Sequence, residues 1–352
     1  MSQRLREIQT QQGATFWEDL LVPATFENDA VALEAIQAGV ALCDRSHWGR
    51  LQLTDHDRQT FLHNQSTNNI QALKPGEGCD TVFVTSTART IDLATVYVLD
   101  ASLIVVVSPN RREYLMQWLD RYIFFGDKVK LQDVTEQTAL FSLLGTESEA
   151  LLQRLGVNPV PNLPYAHHRE INLAGRPVRL GVGSGLAVNG YTLWMDVTDA
   201  AFVWPALIEA GAMPMGDRAW EQLRIQQGRP KPDAELTEEF NAVEACLWQA
   251  ISISKGCYIG QETIARLDTY RGVKQQIWGI QLTSADVEIG TPIMVEAEKV
   301  GVLTSVTPTA NGGFGLGYVR TKAGGAGLPV QVGNQVGQLV EVPFLQRDRA
   351  SS

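Results

Sequence analysis

Residues 255 to 262, with the sequence Lys-Gly-Cys-Tyr-Ile-Gly-Gln-Glu, are the part of the chain best suited to chemistry. The Cys257 thiol stands two residues from the Lys255 ammonium group, and the glycines on either side allow the backbone to approach a ligand or another segment closely. The pattern from Gln261 to Leu267 predicts a helix, which would place Cys257 just before its positive N-terminal end. Both features favour the thiolate, the form of cysteine that acts as a nucleophile. The residues alone leave one alternative open, a glycine-bracketed turn around a buried and inert cysteine.

The other cysteines and the histidines form no recognisable metal site. No two cysteines make a Cys-x-x-Cys pair, and none stands with a histidine at zinc-finger spacing. His167 and His168 are neighbours, and because adjacent residues of an extended segment face opposite ways, we expect them to lie in a solvated loop. We therefore expect reduced thiols and no permanently bound metal.

Missing motifs disfavour several enzyme classes. The glycine-rich segments 181–185 and 312–317 do not match the dinucleotide-binding pattern Gly-x-Gly-x-x-Gly, and neither lies between a strand and a helix. The chain also contains no Walker A sequence, no His-Glu-x-x-His and no Gly-x-Ser-x-Gly. We interpret the glycine-rich segments as turns or β-bulges.

The charge of the chain argues against direct binding of nucleic acid. The 352 residues contain 29 Lys and Arg against 39 Asp and Glu, a net charge of −10, whereas general nucleic-acid binders present a basic surface. The first thirty residues contain no uninterrupted apolar run of a secretory signal. The most apolar stretch, residues 93–107, is broken by Asp100 and is shorter than the ~20 residues of a membrane span. We predict a folded cytoplasmic protein without a membrane partner.

Helix and strand patterns alternate along the chain, but neighbouring strands often pair as hairpins. Residues 93–99 and 103–107 flank a short polar turn, and residues 178–182 and 191–197 form a second pair with Asn189-Gly190 as the predicted tight turn. These patterns favour an α+β fold over a doubly wound parallel sheet.

The chain changes character after residue 272, where helix patterns nearly vanish. Short strand patterns with Gly- and Pro-bearing turns predict a small β-barrel, with its boundary near residue 275 and a frayed tail over residues 347–352. The predicted strands are residues 278–282, 291–295, 299–307, 314–319 and 338–342.

Residues 255–262 match at every position the signature Lys-Gly-Cys-Tyr-x-Gly-Gln-Glu of the YgfZ family, whose mitochondrial relatives are iron–sulfur cluster assembly factors. Residues 216–230 and Glu244 resemble the family's segments upstream of the signature. The run from Asp44 to Gly49 resembles the Asp-x-Ser-x-x-Gly of the wider family that includes the glycine-cleavage T-protein. The likeness covers about residues 35 to 320, nearly the whole chain.

This resemblance implies a three-domain ring with ferredoxin-like antiparallel sheets, a C-terminal β-barrel and a central opening for a reduced folate. Residues 1–274 would form the folate-binding region as two interleaved α+β domains, and residues 275–346 would form the barrel. The cofactor implied is tetrahydrofolate or a derivative. A site for its flat pterin and acidic tail needs apolar walls, a carboxylate or amide for the pterin edge, and cations at the rim.

The resemblance also implies which residues would bind the folate. Arg224 and Arg266 are candidates for the acidic tail, and Asp92 or Glu244 for the pterin; for these four charged residues the alternative is a structural ion pair. We expect three residues of the signature to shape the loop and to lie among the folate-binding residues, namely Tyr258, Gln261 and Glu262.

Three departures separate this chain from T-proteins that transfer an aminomethyl group to tetrahydrofolate. Those proteins have a Gly-Glu-Asp-Gly turn whose Glu helps to hold folate, whereas residues 187–190 here place Val188 at that position. They also have an Asp-Asp pair where this chain has Ile91 before Asp92, and they lack the cysteine of the signature. Methylene transfer from a lipoyl arm is therefore disfavoured.

From these residues and this resemblance we expect a folate-binding accessory protein that supports assembly or repair of iron–sulfur clusters and, indirectly, tRNA thiomethylation. Cys257 would be the working thiol, and Lys255 would hold it as the thiolate. Iron–sulfur assembly proteins or cluster enzymes would be transient partners. Two alternatives remain, a tetrahydrofolate-dependent aminomethyltransferase or other C1-transfer enzyme, and a non-catalytic scaffold in which the signature organises a domain interface.

Overall fold

The structure is a computed structural model that describes residues 3–158, 163–270 and 272–349. The chain forms two compact units, and the predicted site residues all belong to the second. The domain limits predicted near residues 275 and 346 stay predictions. The first unit comprises Met1–Phe61, Ile70–Cys79 and Ala94–Glu221, and the second comprises Leu62–Asn69, Asp80–Leu93 and Gln222–Ser352.

The described residues form eight α-helices and nineteen strands, and none of these helices is long and apolar enough to cross a membrane. The helices are α1 (Gln3–Gln11), α2 (Asp29–Ala38), α3 (Arg58–Gln65), α4 (Arg112–Asp120), α5 (Ser148–Arg154), α6 (Ala200–Glu209), α7 (Asp217–Gln227) and α8 (Gln261–Thr269). The strands are β1 (Thr15–Phe16), β2 (Pro23–Thr25), β3 (Ala41–Asp44), β4 (Gly49–Thr54), β5 (Gly78–Val84), β6 (Thr90–Val98), β7 (Ser102–Val107), β8 (Lys130–Asp133), β9 (Thr138–Leu144), β10 (His168–Leu173), β11 (Arg176–Val182), β12 (Gly190–Asp196), β13 (Met213–Met215), β14 (Gln275–Leu282), β15 (Pro292–Val295), β16 (Glu298–Thr309), β17 (Gly312–Arg320), β18 (Pro329–Val332) and β19 (Gln335–Val340).

The first unit contains a six-stranded sheet in the order β10-β11-β12-β9-β3-β13, in which only β3 and β13 pair in parallel. Phe141 of β9 and Trp204 of α6 pack edge to face in its core, with ring centroids 5.4 Å apart. The tight turn predicted at Asn189-Gly190 is wrong, because Gly190 is the first residue of β12. A Cβ on Gly190 would lie 2.0 Å from the Leu143 carbonyl oxygen of β9, so glycine here permits close strand pairing.

A further sheet has five strands in the order β5-β6-β7-β4-β8. The hairpin of β6 and β7 is confirmed, with Thr95 opposite Val106 and Val98 opposite Leu103. All nine residues of β6 are buried, which explains its nearly continuous apolar and β-branched sequence. Residues 80–93, which include the turn between β5 and β6, belong to the second unit.

Six antiparallel strands of the second unit close into a barrel in the order β14-β17-β16-β15-β18-β19. Five of them were predicted, whereas β18 was missed because four residues that begin with Pro329 give too short a pattern. Inward-facing apolar residues such as Ile280, Leu303 and Leu339 fill the barrel. The predicted α+β class with a C-terminal β-barrel is confirmed.

The segment after the barrel is held against it at its start, where fraying was predicted. The Arg347 guanidinium lies 3.4 Å from the Trp278 ring centroid and donates a hydrogen bond of 2.7 Å to the Ile277 carbonyl oxygen. The tail prediction for residues 350–352 lies outside the described residues.

Candidate functional site

The signature loop, residues 255–260, leads directly into α8, so the predicted helix start at Gln261 is confirmed. Gly260 ends the loop with φ +82°, a conformation that side chains other than glycine rarely adopt. A Cβ at this position would lie 2.8 Å from the Thr85 carbonyl oxygen and 2.9 Å from Cγ2 of Val84. Glycine therefore lets the loop pack against the turn between β5 and β6.

Cys257 differs from the other three cysteines in its exposure. Its residue is exposed, whereas Cys43 and Cys246 are buried and Cys79 is partly buried. Burial raises the pKa of the Cys246 thiol to about 11, which disfavours its thiolate at neutral pH. The alternative of a buried cysteine in the signature loop is wrong, because Cys257 is open to solvent.

Lys255 is buried, at 6% exposure, and its ammonium group contacts backbone oxygens. Nζ donates to the carbonyl oxygens of His63, Ser66 and Asn68, at 2.5, 2.6 and 2.8 Å. These acceptors belong to residues 62–69, which include the last turn of α3, where carbonyl groups lack partners within the helix. Burial and the Lys255 charge together lower the pKa of His63. The three N–H groups thus bind carbonyls, whereas the sequence suggested a role beside the thiolate.

Tyr258 packs under the Lys255 ammonium group. Nζ lies 4.7 Å from the Tyr258 ring centroid, which is cation–π distance. The ring belongs to a small apolar cluster with Ala88, Val243 and Ile264. The Tyr258 hydroxyl oxygen is buried without a hydrogen-bond partner among the described residues, and burial raises its pKa to about 12. The contacts that stabilise the loop are therefore made by the ring of Tyr258 and not by its hydroxyl group.

The start of α8 completes the loop and presents charges to solvent. Gln261 Nε2 donates to the Lys255 carbonyl oxygen at 3.4 Å, and the Ile259 N–H donates to the Asn64 carbonyl oxygen at 3.2 Å. Glu262 and Arg266 are exposed and four residues apart, a spacing that makes their side chains neighbours on the helix surface.

Asp92 and Glu244, the predicted pterin contacts, are both buried. Asp92 is fully buried on β6, and Glu244 is 8% exposed. The Asn241 N–H donates to Glu244 Oε2 at 3.2 Å, while Asn241 Oδ1 accepts the N–H of Glu244 at 2.9 Å. Burial is the main effect on Glu244 and raises its pKa, although Asn241 and the Arg89 charge act in the opposite direction. The interior of the second unit therefore holds a carboxyl group that is more easily protonated than usual.

Arg224 is a correction to the sequence analysis. It was predicted as a cation at the rim of a folate site, but it is 1% exposed. Nη1 donates to Glu235 Oε2 at 3.2 Å and to the Arg229 carbonyl oxygen at 2.7 Å, and Nη2 donates to Ser305 Oγ at 3.0 Å. The alternative of a structural ion pair therefore describes Arg224.

Glu235, the partner of Arg224, was not predicted from the sequence. It is fully buried, and its Oε1 accepts hydrogen bonds from Thr304 Oγ1 and Ser305 Oγ of β16 at 2.7 and 2.6 Å. The Lys231 N–H donates to Oε2 at 3.1 Å. A single glutamate in an irregular segment has no sequence pattern that reveals such burial.

The T-protein-like motif of residues 44–49 makes hydrogen bonds and packing contacts inside the first unit. Asp44 Oδ2 accepts a hydrogen bond from Gln9 Nε2 at 2.9 Å, and Oδ1 accepts the Ser46 N–H at 3.0 Å. The Arg45 guanidinium stacks on Trp48, 3.9 Å from the ring centroid, and lies 4.8 Å from that of Trp220. These contacts explain the motif by packing and hydrogen bonding.

Two further expectations concern the first unit. His168 is not in a solvated loop: it is 4% exposed in β10, Nε2 lies 3.0 Å from the Val98 carbonyl oxygen, and burial lowers its pKa to about 4. Val188, where T-proteins are expected to have a folate-binding Glu, is partly buried, and its carbonyl oxygen accepts the Ser184 hydroxyl at 2.8 Å.

Among residues 3–158, 163–270 and 272–349, no three His, Cys, Asp or Glu side chains come together as a metal site would require. Cys257 could therefore supply one ligand to a metal centre, and other molecules would have to supply the remaining ligands.

Comparison with known proteins gives one family. Residues 5–255 match the family model described as the GCVT N-terminal domain. A protein of Arabidopsis thaliana named "Putative transferase At1g60990, chloroplastic" is 46% identical over 334 residues, which cover 94% of this chain and 77% of that protein. The aminomethyltransferase of Geobacillus kaustophilus is 28% identical, covering 94% of this chain and 93% of that protein.

A solved structure shows the same fold. The glycine cleavage system aminomethyltransferase T from Bartonella henselae superposes with a TM-score of 0.85, covering 98% of both chains at 18% sequence identity. The family match covers well over half of the chain, and the aminomethyltransferase of Halalkalibacterium halodurans adds 26% identity over 93% of it. The chain therefore belongs to the family of the GCVT N-terminal domain, within the glycine-cleavage T-protein superfamily.

Proposed function

We propose that this protein is a folate-binding accessory factor that supports assembly or repair of iron–sulfur clusters, with Cys257 as its working thiol. The observation that carries the proposal is the exposure of Cys257 on a loop whose flanking residues are fixed by Lys255 and Gly260. The expected absence of this cysteine from T-proteins that transfer a methylene group supports a different role for the thiol.

The chemistry open to Cys257 is that of a shared ligand. A thiolate binds iron, but a cluster ordinarily takes four cysteine ligands. Cys257 would therefore hold iron or a cluster only together with small thiols or with cysteines of a recipient enzyme. Such partial ligation suits a transient handover, because a cluster bound by one protein thiol leaves readily.

The interior of the second unit also offers groups that fit a reduced folate. Glu244 is buried with a raised pKa, so its carboxyl group can either donate to or accept from the edge of a pterin. The exposed Arg266 guanidinium suits the acidic tail, since guanidinium binds carboxylates through paired hydrogen bonds. Asp92, Tyr258, Gln261 and Glu262 stay proposed members of this site, whereas Arg224 is engaged with Glu235.

The test of Cys257 is complementation of cells that lack the gene. We expect Cys257→Ala to leave cluster-enzyme activity and tRNA thiomethylation at the level of the deletion, because no other described cysteine of this chain is fully exposed. Cys79→Ser is the matched control, and it should restore activity. Full activity of Cys257→Ala would remove the thiol from the mechanism.

The test of folate binding is separate from that of the thiol. Titration of the purified protein with tetrahydrofolate should give the same affinity for Cys257→Ala as for the unchanged chain. Arg266→Met should weaken binding roughly tenfold if its guanidinium holds the tail, as for one lost charge-assisted hydrogen bond. Equal affinity of Arg266→Met would exclude this arginine from the site.

An aminomethyltransferase is the second candidate, favoured by the 26% and 28% identity to enzymes of that name over more than 90% of both chains. The valine at position 188 argues against it. Incubation with tetrahydrofolate and an aminomethyl-lipoyl carrier decides the matter, because methylene-tetrahydrofolate formed at turnover would establish this activity.

The third candidate, a scaffold, predicts that Cys257 reacts with iodoacetamide no faster than a model thiol.

The cellular location and the partners of the protein are also proposals. A cytoplasmic location stays a prediction, since the Arabidopsis relative is named as chloroplastic. Iron–sulfur assembly proteins and cluster enzymes are the proposed partners. Pull-down with Cys257→Ser, which retains the shape of the loop, would show whether they depend on the thiol.

A further inference from the structure

The contacts of the Lys255 ammonium group point to a role different from that suggested by its sequence position. An ammonium group has three N–H donors, and three carbonyl oxygens lie within 2.5 to 2.8 Å of Nζ. They come from His63, Ser66 and Asn68, so that one side chain joins three residues of a segment about 190 positions away in sequence.

The same two segments are joined by further hydrogen bonds on both sides of Lys255. The Ser252 N–H donates to the Thr67 carbonyl oxygen at 3.0 Å, and the Thr67 hydroxyl donates to the Ala250 carbonyl oxygen at 2.6 Å. On the other side, the Ile259 N–H donates to the Asn64 carbonyl oxygen at 3.2 Å. Residues 250–259 are thus attached along their length to residues 63–68, and Lys255 is the central attachment.

We propose that Lys255 is a positioning residue, which fixes the signature loop by binding three backbone carbonyls and thereby holds Cys257 out to solvent. This inference rests on the proposed function of Cys257 as the working thiol. It assigns Lys255 a structural part in the loop, because its ammonium group donates to three backbone carbonyl oxygens.

The geometry also explains why lysine and not arginine occupies the position. A compact tetrahedral ammonium group on a flexible stem can reach three oxygens that converge on one point. A guanidinium group is planar and larger, and its donors diverge in a fork. Arginine would keep the positive charge at position 255 but would not satisfy the three carbonyls.

The decisive experiment compares Lys255→Arg with Lys255→Met in the full chain. We expect both variants to speed hydrogen exchange of the Ser252 and Ile259 amides, which donate to the Thr67 and Asn64 carbonyl oxygens, by about tenfold or more, as for local opening of a loop. The pH dependence of the rate of Cys257 alkylation, measured between pH 6 and 10, should differ from that of the unchanged chain and should differ in the same way in both variants. Lys322→Met, which changes an exposed lysine of the second unit, should leave exchange and alkylation unchanged.

A wild-type exchange rate and pH profile in Lys255→Arg, together with an altered midpoint in Lys255→Met, would overturn the proposal, because charge alone would then suffice. Should neither variant fold, acetylation of the unchanged protein decides. Protection of Lys255 relative to Lys322 supports the proposal, and equal acetylation overturns it. None of these readouts depends on cluster-enzyme activity, so a failure of the proposed function in cells is distinguishable from a failure of this inference.

Discussion

Arg224 and Lys255 are both buried cations of the second unit, and they are stabilised by different kinds of partner. Arg224 is 1% exposed and faces the fully buried carboxylate of Glu235, whereas Lys255 is 6% exposed and faces carbonyl oxygens. Each charge of the ion pair compensates the other, because neither could be buried alone without a large cost in free energy. The carbonyl contacts of Lys255 hold a loop whose next residues, Gly256 and Cys257, are exposed. Burial of a cation thus serves stability in one place and the presentation of a thiol in the other.

The largest effect should come from breaking the ion pair. Arg224→Met leaves the Glu235 carboxylate buried without its cation, and we expect the free energy of unfolding to fall by about 3–5 kcal/mol. Urea denaturation measures this loss. The double variant Arg224→Met with Glu235→Gln should be more stable than Arg224→Met alone, since it removes the uncompensated charge.

Arg320→Met is the control for the ion pair. Arg320 and Glu298 are 50% and 64% exposed and lie 3.3 Å apart, so this loss should stay below about 1 kcal/mol. An equal loss for Arg224→Met would show that burial adds nothing to the importance of the pair.

The second-largest effect on stability should come from Gly260, and alanine substitution at Gly256, the other glycine of the signature loop, should have almost none. Gly260→Ala forces a Cβ into a residue at φ +82° and within 2.8 Å of the Thr85 carbonyl oxygen, so we expect a loss of about 2–3 kcal/mol in unfolding free energy. A Cβ at Gly256 would meet no atom closer than 3.9 Å, and Gly256→Ala should change stability by less than about 0.5 kcal/mol. Equal stabilities of the two variants, measured by thermal denaturation, would show that the contact at Gly260 does not constrain the loop.

The ring and the hydroxyl of Tyr258 should also be separable. Tyr258→Leu removes the aromatic face under the Lys255 ammonium group, and we expect a loss of about 1–2 kcal/mol. Tyr258→Phe removes a hydroxyl that has no partner among the described residues, so it should be neutral or slightly stabilising. If Tyr258→Phe retains its stability but binds tetrahydrofolate more weakly, the hydroxyl contacts the ligand.

The smallest effect concerns Glu244 and depends on pH. Because burial raises the pKa of its carboxyl group in the folded protein, its contribution to stability is present below its ordinary pKa and is lost as the pH rises through the raised value. Glu244→Gln stays neutral, so we expect it to be more stable than the unchanged chain at pH 7 by about 1 kcal/mol or less. A lower stability of Glu244→Gln at pH 7 would show that the ionised form is the one the fold favours.

The parts of the fold that were predicted correctly are those with local patterns. The alternating and β-branched runs of β6 and β7 gave a hairpin whose pairing is confirmed, and the helix pattern from Gln261 is confirmed as α8. The barrel was predicted from five such runs. Errors arose where several segments meet. At Gly190, glycine is needed because a Cβ would clash with the Leu143 backbone, and not because the residue lies in a tight turn.

The candidate site divides in the same way. The spacing of Lys255, Cys257 and Gly260 indicated a thiol on a glycine-flanked loop before a helix, and the structure has that arrangement. The partners of Lys255 are carbonyl oxygens of residues far away in sequence, and backbone oxygens leave no trace in side-chain patterns. The burial of Arg224 with Glu235 was hidden for a related reason, since an arginine on an amphipathic helix can face either solvent or the interior.

The amino-acid sequence by itself determined where a thiol stands between glycines, which helix follows it and that a β-barrel forms the C-terminal part, because these follow from neighbouring residues and short periodicities. Only the tertiary structure decided which charges are buried and what they bind. Burial depends on segments brought together by folding, and the free energy of a buried charge is set by acceptors such as the carbonyls around Lys255 and the carboxylate beside Arg224.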